Sequence, residues 1–121
     1  MNDTNTTLAD LKTLMQQFVA EREWSKYHTP RNLSASVAIE AGELLELFQW
    51  LTAEEAITRS RDDAKFRQAV GEELSDVMMY LVSLANSLDL DIATAVYAKM
   101  DKNRAKYPKE QVRGHYERPI R

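Results

Sequence analysis

Apolar residues recur every three or four positions along almost the whole chain, and no stretch alternates between apolar and polar residues as a half-buried strand does. The pattern is clear at Leu8, Leu11 and Met15 near the start and at Val70 and Val77 farther along. This spacing is the period of an α-helix. With 121 residues, the chain has the length of one domain. The sequence therefore predicts an all-α fold, a helical bundle of four to five helices.

Capping motifs divide this pattern into separate helices. Thr7 with Asp10 and Thr52 with Glu55 have the spacing of capping boxes. The other three helices are expected to begin after the caps Asn32, Ser60 and Asp91. The ends of the helices are expected near Glu23, Leu51, Arg59, Leu88 and Pro108. On this interpretation residues 1–108 form the domain and residues 109–121 form a polar tail.

Composition excludes several classes of function. The chain has no cysteine, and its three glycines are too far apart to form a phosphate-binding loop. A net charge of −3 argues against a nucleic-acid partner. The longest uncharged stretch, residues 77–88, is shorter than the ~20 residues that a membrane span requires, and residues 1–10 do not resemble a targeting segment. A cytoplasmic protein with no membrane partner is expected.

Four carboxylates occupy positions that the helical pattern assigns to apolar faces. On a wheel of about 100° per residue, Glu40 lies in the middle of the apolar stripe of the second helix, and Glu73 lies in the middle of the stripe of the long helix. Glu43 and Asp76 follow three residues later, at the same edge of each stripe. Residues three apart are neighbours on a helix surface. Two helices thus carry the same acidic pattern.

A carboxylate among apolar side chains is costly unless it is paired, protonated or bound to a metal. Oxygen ligands favour Mg²⁺ or Mn²⁺ over zinc. A di-iron bundle would need a histidine three residues after a glutamate, and neither His28 nor His115 is placed so. The alternative is that the bundle is wider than the wheel suggests and that these acids are solvated.

Polar residues also interrupt the apolar side of the last helix. Lys99 and Asn103 are four residues apart on that side, with Tyr107 one turn on. A cation and an amide facing an acidic, metal-loaded centre suit a polyphosphate. The alternative is that Lys99 pairs with a core carboxylate or extends its ammonium group to the solvent.

Both tryptophans flank the acidic motif of the second helix. Trp24 precedes this helix and Trp50 follows Glu43 by seven residues. Two indoles beside a metal and phosphate site can stack on a nucleobase. Ordinary packing of both rings is the alternative, and His28 has the alternative of anchoring its loop through a hydrogen bond.

Four segments of the chain resemble the dCTP pyrophosphatase branch of the MazG-like nucleotide pyrophosphohydrolases. They are residues 18–33 (FVAEREWSKYHTPRNL), 40–50 (EAGELLELFQW), 72–77 (EELSDV) with the pair at 80–81, and 99–108 (KMDKNRAKYP). The resemblance covers about residues 8–108 and implies an all-α bundle assembled as a dimer or tetramer. It also implies hydrolysis of nucleoside triphosphates between the α and β phosphates.

The resemblance assigns roles to individual residues. It implies Mg²⁺, with Mn²⁺ as an alternative, held by Glu40, Glu43, Glu73 and Asp76. It implies phosphate contacts from Lys99 and Asn103, with Lys106 or Arg104 as a further contact. It implies a base pocket formed by Trp24, His28, Trp50 and Tyr80 and partly completed by a neighbouring subunit. Two features depart from the family pattern: Ile39 replaces a small residue, and the connector between the two acidic motifs is long.

The predicted function is that of a Mg²⁺-dependent pyrophosphohydrolase acting on dCTP or a modified dCTP, a nucleotide-pool house-cleaning enzyme. Glu43 and Glu46 are candidates for accepting the proton of the attacking water, and Lys99 for neutralising phosphate charge. The alternatives are a phosphoribosyl-ATP pyrophosphohydrolase and a helical oligomer that binds nucleotide without turnover. A wide apolar arc on the long helix, around Leu81 and Met78, further predicts a homo-oligomer.

Overall fold

The computed structural model describes residues 1–117, which form six α-helices and one short 3-10 helix, with no strand in that part of the chain. The α-helices are α1 (Leu8–Glu21), α2 (Pro30–Phe48), α3 (Ala53–Asp62), α4 (Ala64–Ser87), α5 (Ile92–Lys106) and α6 (Lys109–Val112). The 3-10 helix, Ser25–Tyr27, lies between α1 and α2. The prediction of an all-α fold is confirmed.

The chain divides into two compact units, Met1–Asp89 and a second unit that begins at Leu90. The first contains α1 to α4 and the second contains α5 and α6. The short α6 falls within the predicted polar tail, and residues 118–121 of that tail lie outside the described residues. No helix among residues 1–117 is long and apolar enough to cross a membrane.

Three of the predicted helix caps are present. Both capping boxes form: the backbone N–H of Asp10 donates to Thr7 Oγ1 at 3.1 Å, and that of Glu55 donates to Thr52 Oγ1 at 3.1 Å. Asp91 caps α5 by accepting from the backbone N–H of Thr94 at 2.9 Å. Each cap satisfies an N–H group that has no partner within its helix.

The predicted cap at Asn32 is wrong, because Thr29 caps α2. Thr29 Oγ1 accepts from the backbone N–H of Asn32 at 3.2 Å, and Pro30 occupies the first helical position, where its missing N–H carries no cost. Asn32 instead donates from Nδ2 to the carbonyl oxygen of Tyr27 at 2.9 Å. Its side chain therefore ties the start of α2 to the turn that precedes it.

The predicted cap at Ser60 is also wrong. Helix α3 continues to Asp62, and Asp63 caps α4 by accepting from the backbone N–H of Phe66 at 3.1 Å. The backbone N–H of Asp63 donates to the carbonyl oxygen of Arg59 at 3.0 Å. One residue thus ends α3 and begins α4, so the two helices follow each other with almost no connector.

Helix α4 is central to the first unit. It packs against α1, α2 and α3, most extensively against α2. Phe66 on α4 is buried and meets Phe48 of α2 edge to face, with ring centroids 5.6 Å apart. Toward the other end of α4, Asn86 Nδ2 donates to the carbonyl oxygen of Lys12 on α1 at 3.1 Å. These contacts hold α1 and α2 against the same helix.

Helix α1 ends in a Schellman motif. The backbone N–H of Glu23 donates to the carbonyl oxygen of Ala20 at 3.1 Å, and that of Trp24 donates to the carbonyl oxygen of Val19 at 3.0 Å. Glu23 has a φ of 54°, in the left-handed region. The motif returns Trp24 against Phe18, with ring centroids 5.8 Å apart in an edge arrangement. The backbone turn thus sets the position of this indole.

Replacing Glu23 with glycine is expected to stabilise the protein. A side chain in the left-handed region costs roughly 1–2 kcal/mol, and the extra freedom of glycine in the unfolded chain offsets part of the gain, so a net increase of about 0.5–1 kcal/mol in the free energy of unfolding is expected. Urea unfolding of Glu23→Gly measures it. Glu21→Gly, in the last turn of α1, is the control, and its free energy of unfolding should fall by about 0.5–1 kcal/mol. Equal loss in both variants would contradict the prediction.

Candidate functional site

The packing of α2 against α4 brings carboxylates together. Glu40 lies on α2, and Glu73 and Asp76 lie on α4. One carboxylate oxygen from each of the three lies within 4.8 Å of the others, and all three side chains are half-buried. Three acids predicted to share apolar faces therefore converge on one point.

Glu43 joins this group from the next turn of α2. It is more exposed than the other three, yet it lies close enough to raise the pKa of both Glu40 and Glu73. All four acids of the two motifs thus lie together. We refer to Glu40, Glu43, Glu73 and Asp76 as the acidic cluster.

The cluster shifts the proton affinities of its own members. The hydrogen bond with Glu43, burial and the neighbouring negative charges together raise the pKa of Glu40 from 4.5 to about 7. The pKa of Glu73 is also raised, chiefly by burial and then by the charge of Glu43. Like charges held close together disfavour the ionised forms of one another.

Two oxygens of the cluster lack any hydrogen-bond partner. Glu40 Oε2 and Glu73 Oε2 are buried and unpaired. Within residues 1–117 none of the four acids forms an ion pair with a basic side chain. Buried polar atoms of this kind are rare without a ligand, and carboxylate oxygens are the donors that a hard divalent cation takes. The donor set therefore fits Mg²⁺ or Mn²⁺.

An apolar cavity of about 400 Å³ lies against the cluster. It contains three predicted base-pocket residues, Trp24, His28 and Tyr80. Asp76 belongs both to the cavity wall and to the acidic cluster. The remaining wall comes from α1 and α4 and consists of Leu14, Met15, Phe18, Met79 and Ser83. We refer to this space as the aromatic cavity.

Other predicted site residues lie outside these two features. Trp50 is 86 % exposed and does not line the aromatic cavity of its own chain. Glu46 is exposed, one turn beyond Glu43. The remaining three lie on α5 in the second unit, with Lys99 and Lys106 exposed and Asn103 half-buried. Their roles in binding phosphate stay predictions.

The sequence did not identify the α1 wall of the aromatic cavity or the presence of Ser83 in its lining. Met15 and Phe18 fit the apolar stripe of α1, so their helical spacing indicated core packing and no more. Ser83 carried no signal, because a serine in a helix usually bonds to its own backbone. A cavity depends on how helices are placed, which periodicity within one helix does not show.

The chain is similar to proteins of one family. Residues 35–117 match the sequence profile of the MazG-like family. Among curated proteins, dCTP pyrophosphatase 1 of Rattus norvegicus is 46 % identical over 108 residues, which is 89 % of this chain and 63 % of the relative. The dCTP pyrophosphatase 1 of Homo sapiens is 47 % identical over 102 residues, 84 % of this chain and 59 % of the relative. The chain spans about three fifths of the length of these relatives.

A solved structure has the same fold. It is the crystal structure of a pyrophosphatase from Archaeoglobus fulgidus DSM 4304, with a TM-score of 0.79 and 36 % sequence identity. The match covers 90 % of this chain and 99 % of that chain. Similarity in sequence and in fold thus points to the same group of proteins.

The raised pKa of Glu40 predicts how metal-free stability depends on pH. Its pKa is about 7 in the folded protein and 4.5 ordinarily, so folding takes up a proton between these values. The free energy of unfolding should therefore fall as pH rises from about 4.5 to about 7. The raised pKa of Glu73 acts in the same direction. Glu55 and Asp63 have lowered pKa values, so their contribution to stability is lost only at more acidic pH.

Urea unfolding in a chelator, at intervals from pH 4.5 to 8, measures this dependence. Glu40→Gln should flatten the curve, and Glu54→Gln, an exposed acid on α3, is the control that should keep the wild-type slope. A Glu40→Gln variant with the full wild-type slope would contradict the assignment.

Proposed function

This chain belongs to the MazG-like family, and on that basis we propose that it is a metal-dependent nucleoside triphosphate pyrophosphohydrolase. The proposed substrate is dCTP or a modified dCTP, and the products are the monophosphate and pyrophosphate. The observation that carries the proposal is the acidic cluster beside a cavity lined by aromatic rings. The relatives named dCTP pyrophosphatase 1 support this choice of substrate. The cytoplasm, where free nucleotides are available, is the proposed compartment.

The acidic cluster is proposed to hold Mg²⁺, with Mn²⁺ as the alternative. The two orphaned oxygens, on Glu40 and Glu73, support this role, since a cation would satisfy both. When bound, the cation polarises phosphate oxygens and lowers the pKa of a coordinated water. Negative charge on the cluster would otherwise repel a triphosphate, so without a cation the cluster would disfavour binding of this substrate.

The remaining chemistry falls to the protein's own groups. Glu43 is the most exposed member of the cluster and is proposed to accept the proton of the attacking water, with Glu46 as the second candidate. Lys99 and Asn103 lie four residues apart on α5 and so share a face, from which they are proposed to contact the phosphates. Lys106, at the end of the same helix, is proposed as a further contact. Phosphoryl transfer needs mainly such positioning and charge neutralisation.

The aromatic cavity is proposed to bind the base. Trp24 and Tyr80 offer ring faces for stacking, and His28 offers a polar edge. Trp24 is held against Phe18 by the Schellman turn, so this ring is positioned before a ligand arrives. Because Asp76 belongs to both features, a nucleotide in the cavity would have its phosphates at the acidic cluster.

Replacing Glu73 with glutamine tests the role of the cluster. We expect Mg²⁺-dependent formation of monophosphate and pyrophosphate to fall by about 100-fold or more, because several kcal/mol of charge stabilisation would be lost. The variant should remain folded. Its metal-free form should be at least as stable as the wild type, since the substitution removes a carboxylate that the other acids of the cluster repel. Glu72→Gln removes the adjacent exposed acid of α4 and should keep its activity. Wild-type turnover in Glu73→Gln would overturn the metal assignment.

A homo-oligomer, dimer or tetramer, is part of the proposal. Large apolar side chains are exposed on the two helices that carry the acidic cluster, among them Ile39, Leu45 and Leu74 at 62 %, 68 % and 56 %. Apolar exposure of this kind is typical of a surface that another chain covers. Trp50, exposed on one chain, is proposed to complete the base pocket of a neighbouring chain.

Light scattering at micromolar concentration should give a mass well above the 13.9 kDa of one chain.

Trp50→Ala should raise KM by about tenfold, within the ~1–3 kcal/mol of a stacked base, and should leave kcat and mass nearly unchanged. Tyr116→Ala removes another exposed aromatic residue and serves as the control. A 13.9 kDa particle with full activity would refute the shared site.

A further inference from the structure

Ser83 combines deep burial with an unsatisfied hydroxyl group. The residue is 4 % exposed, and its Oγ is buried with no hydrogen-bond partner. Two other serines of α4 bond to their own helix: Ser75 Oγ donates to the carbonyl oxygen of Gly71 at 2.6 Å, and Ser87 Oγ donates to that of Leu84 at 2.8 Å. Ser75 and Ser87 thus bond to a carbonyl oxygen of the preceding helical turn, as helical serines usually do, whereas Ser83 does not.

Ser83 lies where two cavities meet. It lines the aromatic cavity and also a second cavity of about 410 Å³, and the two share Met15, His28 and Ser83. The second cavity has a more polar wall, which includes Gln16, Ser25 and Asn86. The residue that carries the unpartnered hydroxyl therefore belongs to the walls of both the aromatic cavity and its more polar neighbour.

The position of Ser83 along α4 relates it to the acidic cluster. Asp76, Tyr80 and Ser83 line the aromatic cavity from successive turns of one face. At about 1.5 Å per residue, Asp76 and Ser83 are about 10 Å apart along the helix axis. A sugar and a base can span this distance. A nucleotide with its phosphates at Asp76 would thus extend its base toward Ser83.

In a pyrimidine nucleoside the ring atom opposite the bond to the sugar is C4. The group attached there, an amino group in cytosine or an oxygen in uracil, is the part of the base farthest from the phosphates. A serine hydroxyl can accept from the amino group or donate to the oxygen. We propose that Ser83 is a base-binding residue that hydrogen-bonds the substituent at position 4 of a pyrimidine base. This inference rests on the proposed function for the identity of the ligand.

The test compares two nucleotides in binding, so that it does not depend on turnover. Both are α,β-methylene triphosphates of deoxyribonucleosides, one carrying cytosine and the other the same ring without a substituent at position 4. Their dissociation constants are measured by calorimetry with Mg²⁺ for the wild type, Ser83→Ala and Ser75→Ala. Ser75 is the control, because its hydroxyl is exposed and already bonded to its own helix.

We expect Ser83→Ala to weaken binding of the cytosine analogue by about tenfold and to leave binding of the unsubstituted analogue unchanged. Ser75→Ala should bind both as the wild type does. Without nucleotide, Ser83→Ala should also raise the melting temperature by a few degrees, because a buried unpaired hydroxyl is removed.

Equal weakening toward both analogues, or no weakening toward either, would overturn the assignment of Ser83. A wild type that binds neither analogue would overturn it as well. Selective weakening in a protein that does not hydrolyse dCTP would instead support Ser83 and refute the proposed function. The two proposals can therefore fail separately.

Discussion

Mutual repulsion among four carboxylates between α2 and α4 is the constraint on which the rest of this structure depends. The two helices make the most extensive contact of the first unit, yet Glu40 and Glu73 occupy half-buried positions that hydrocarbon would fill in an ordinary bundle. The buried apolar core of the described chain is correspondingly small, comprising Val19, Leu33, Phe66, Val82 and Ala85. Partly buried carboxylates that repel one another lower the stability of the metal-free protein at the place where a cation can bind. A ligand that binds only the folded chain returns stability in proportion to the logarithm of its concentration. Folding and metal loading are therefore expected to be linked in this protein.

Local sequence rules predicted most of the helices, because the groups that decide a helix start are close in sequence. Thr7 and Thr52 were identified through acids three residues later that complete a reciprocal cap. The two errors arose where several capping residues compete. Thr29 caps α2 in place of Asn32, because the proline directly after Thr29 favours a helix start there and the Asn32 side chain donates to the preceding turn. Asp63 replaces Ser60 because α3 runs farther than its pattern suggested. Propensity alone does not choose between caps three residues apart.

The acidic cluster could be predicted for the same reason that the helices could. Helical periodicity fixes which face a residue occupies, so Glu40 and Glu73 were expected on core-facing stripes, and packing of those faces brings them together. The aromatic cavity could be predicted only in part. The family resemblance implies Trp24, His28 and Tyr80 as base-pocket residues, whereas Ser83 is informative only because its hydroxyl lacks a partner. That property depends on every neighbour of the atom at once, and no spacing within a single helix contains it.

Helix α4 supplies both Asp76 and Ser83 to the wall of the aromatic cavity, and this limits how such a protein can change during evolution. Inserting or deleting one residue between Asp76 and Ser83 would rotate one side chain relative to the other by about 100° around the helix axis. The two side chains would then no longer face the same cavity. The turn between α1 and α2 is under no such restriction, since Trp24 and His28 line the cavity from outside the α-helices. If the cavity binds the base as proposed, homologues that accept different bases are expected to keep the length of this part of α4 and to differ at the turn that carries Trp24 and His28. The helix fixes the distance between Asp76 and Ser83, and the turn that carries Trp24 and His28 is free to vary in sequence.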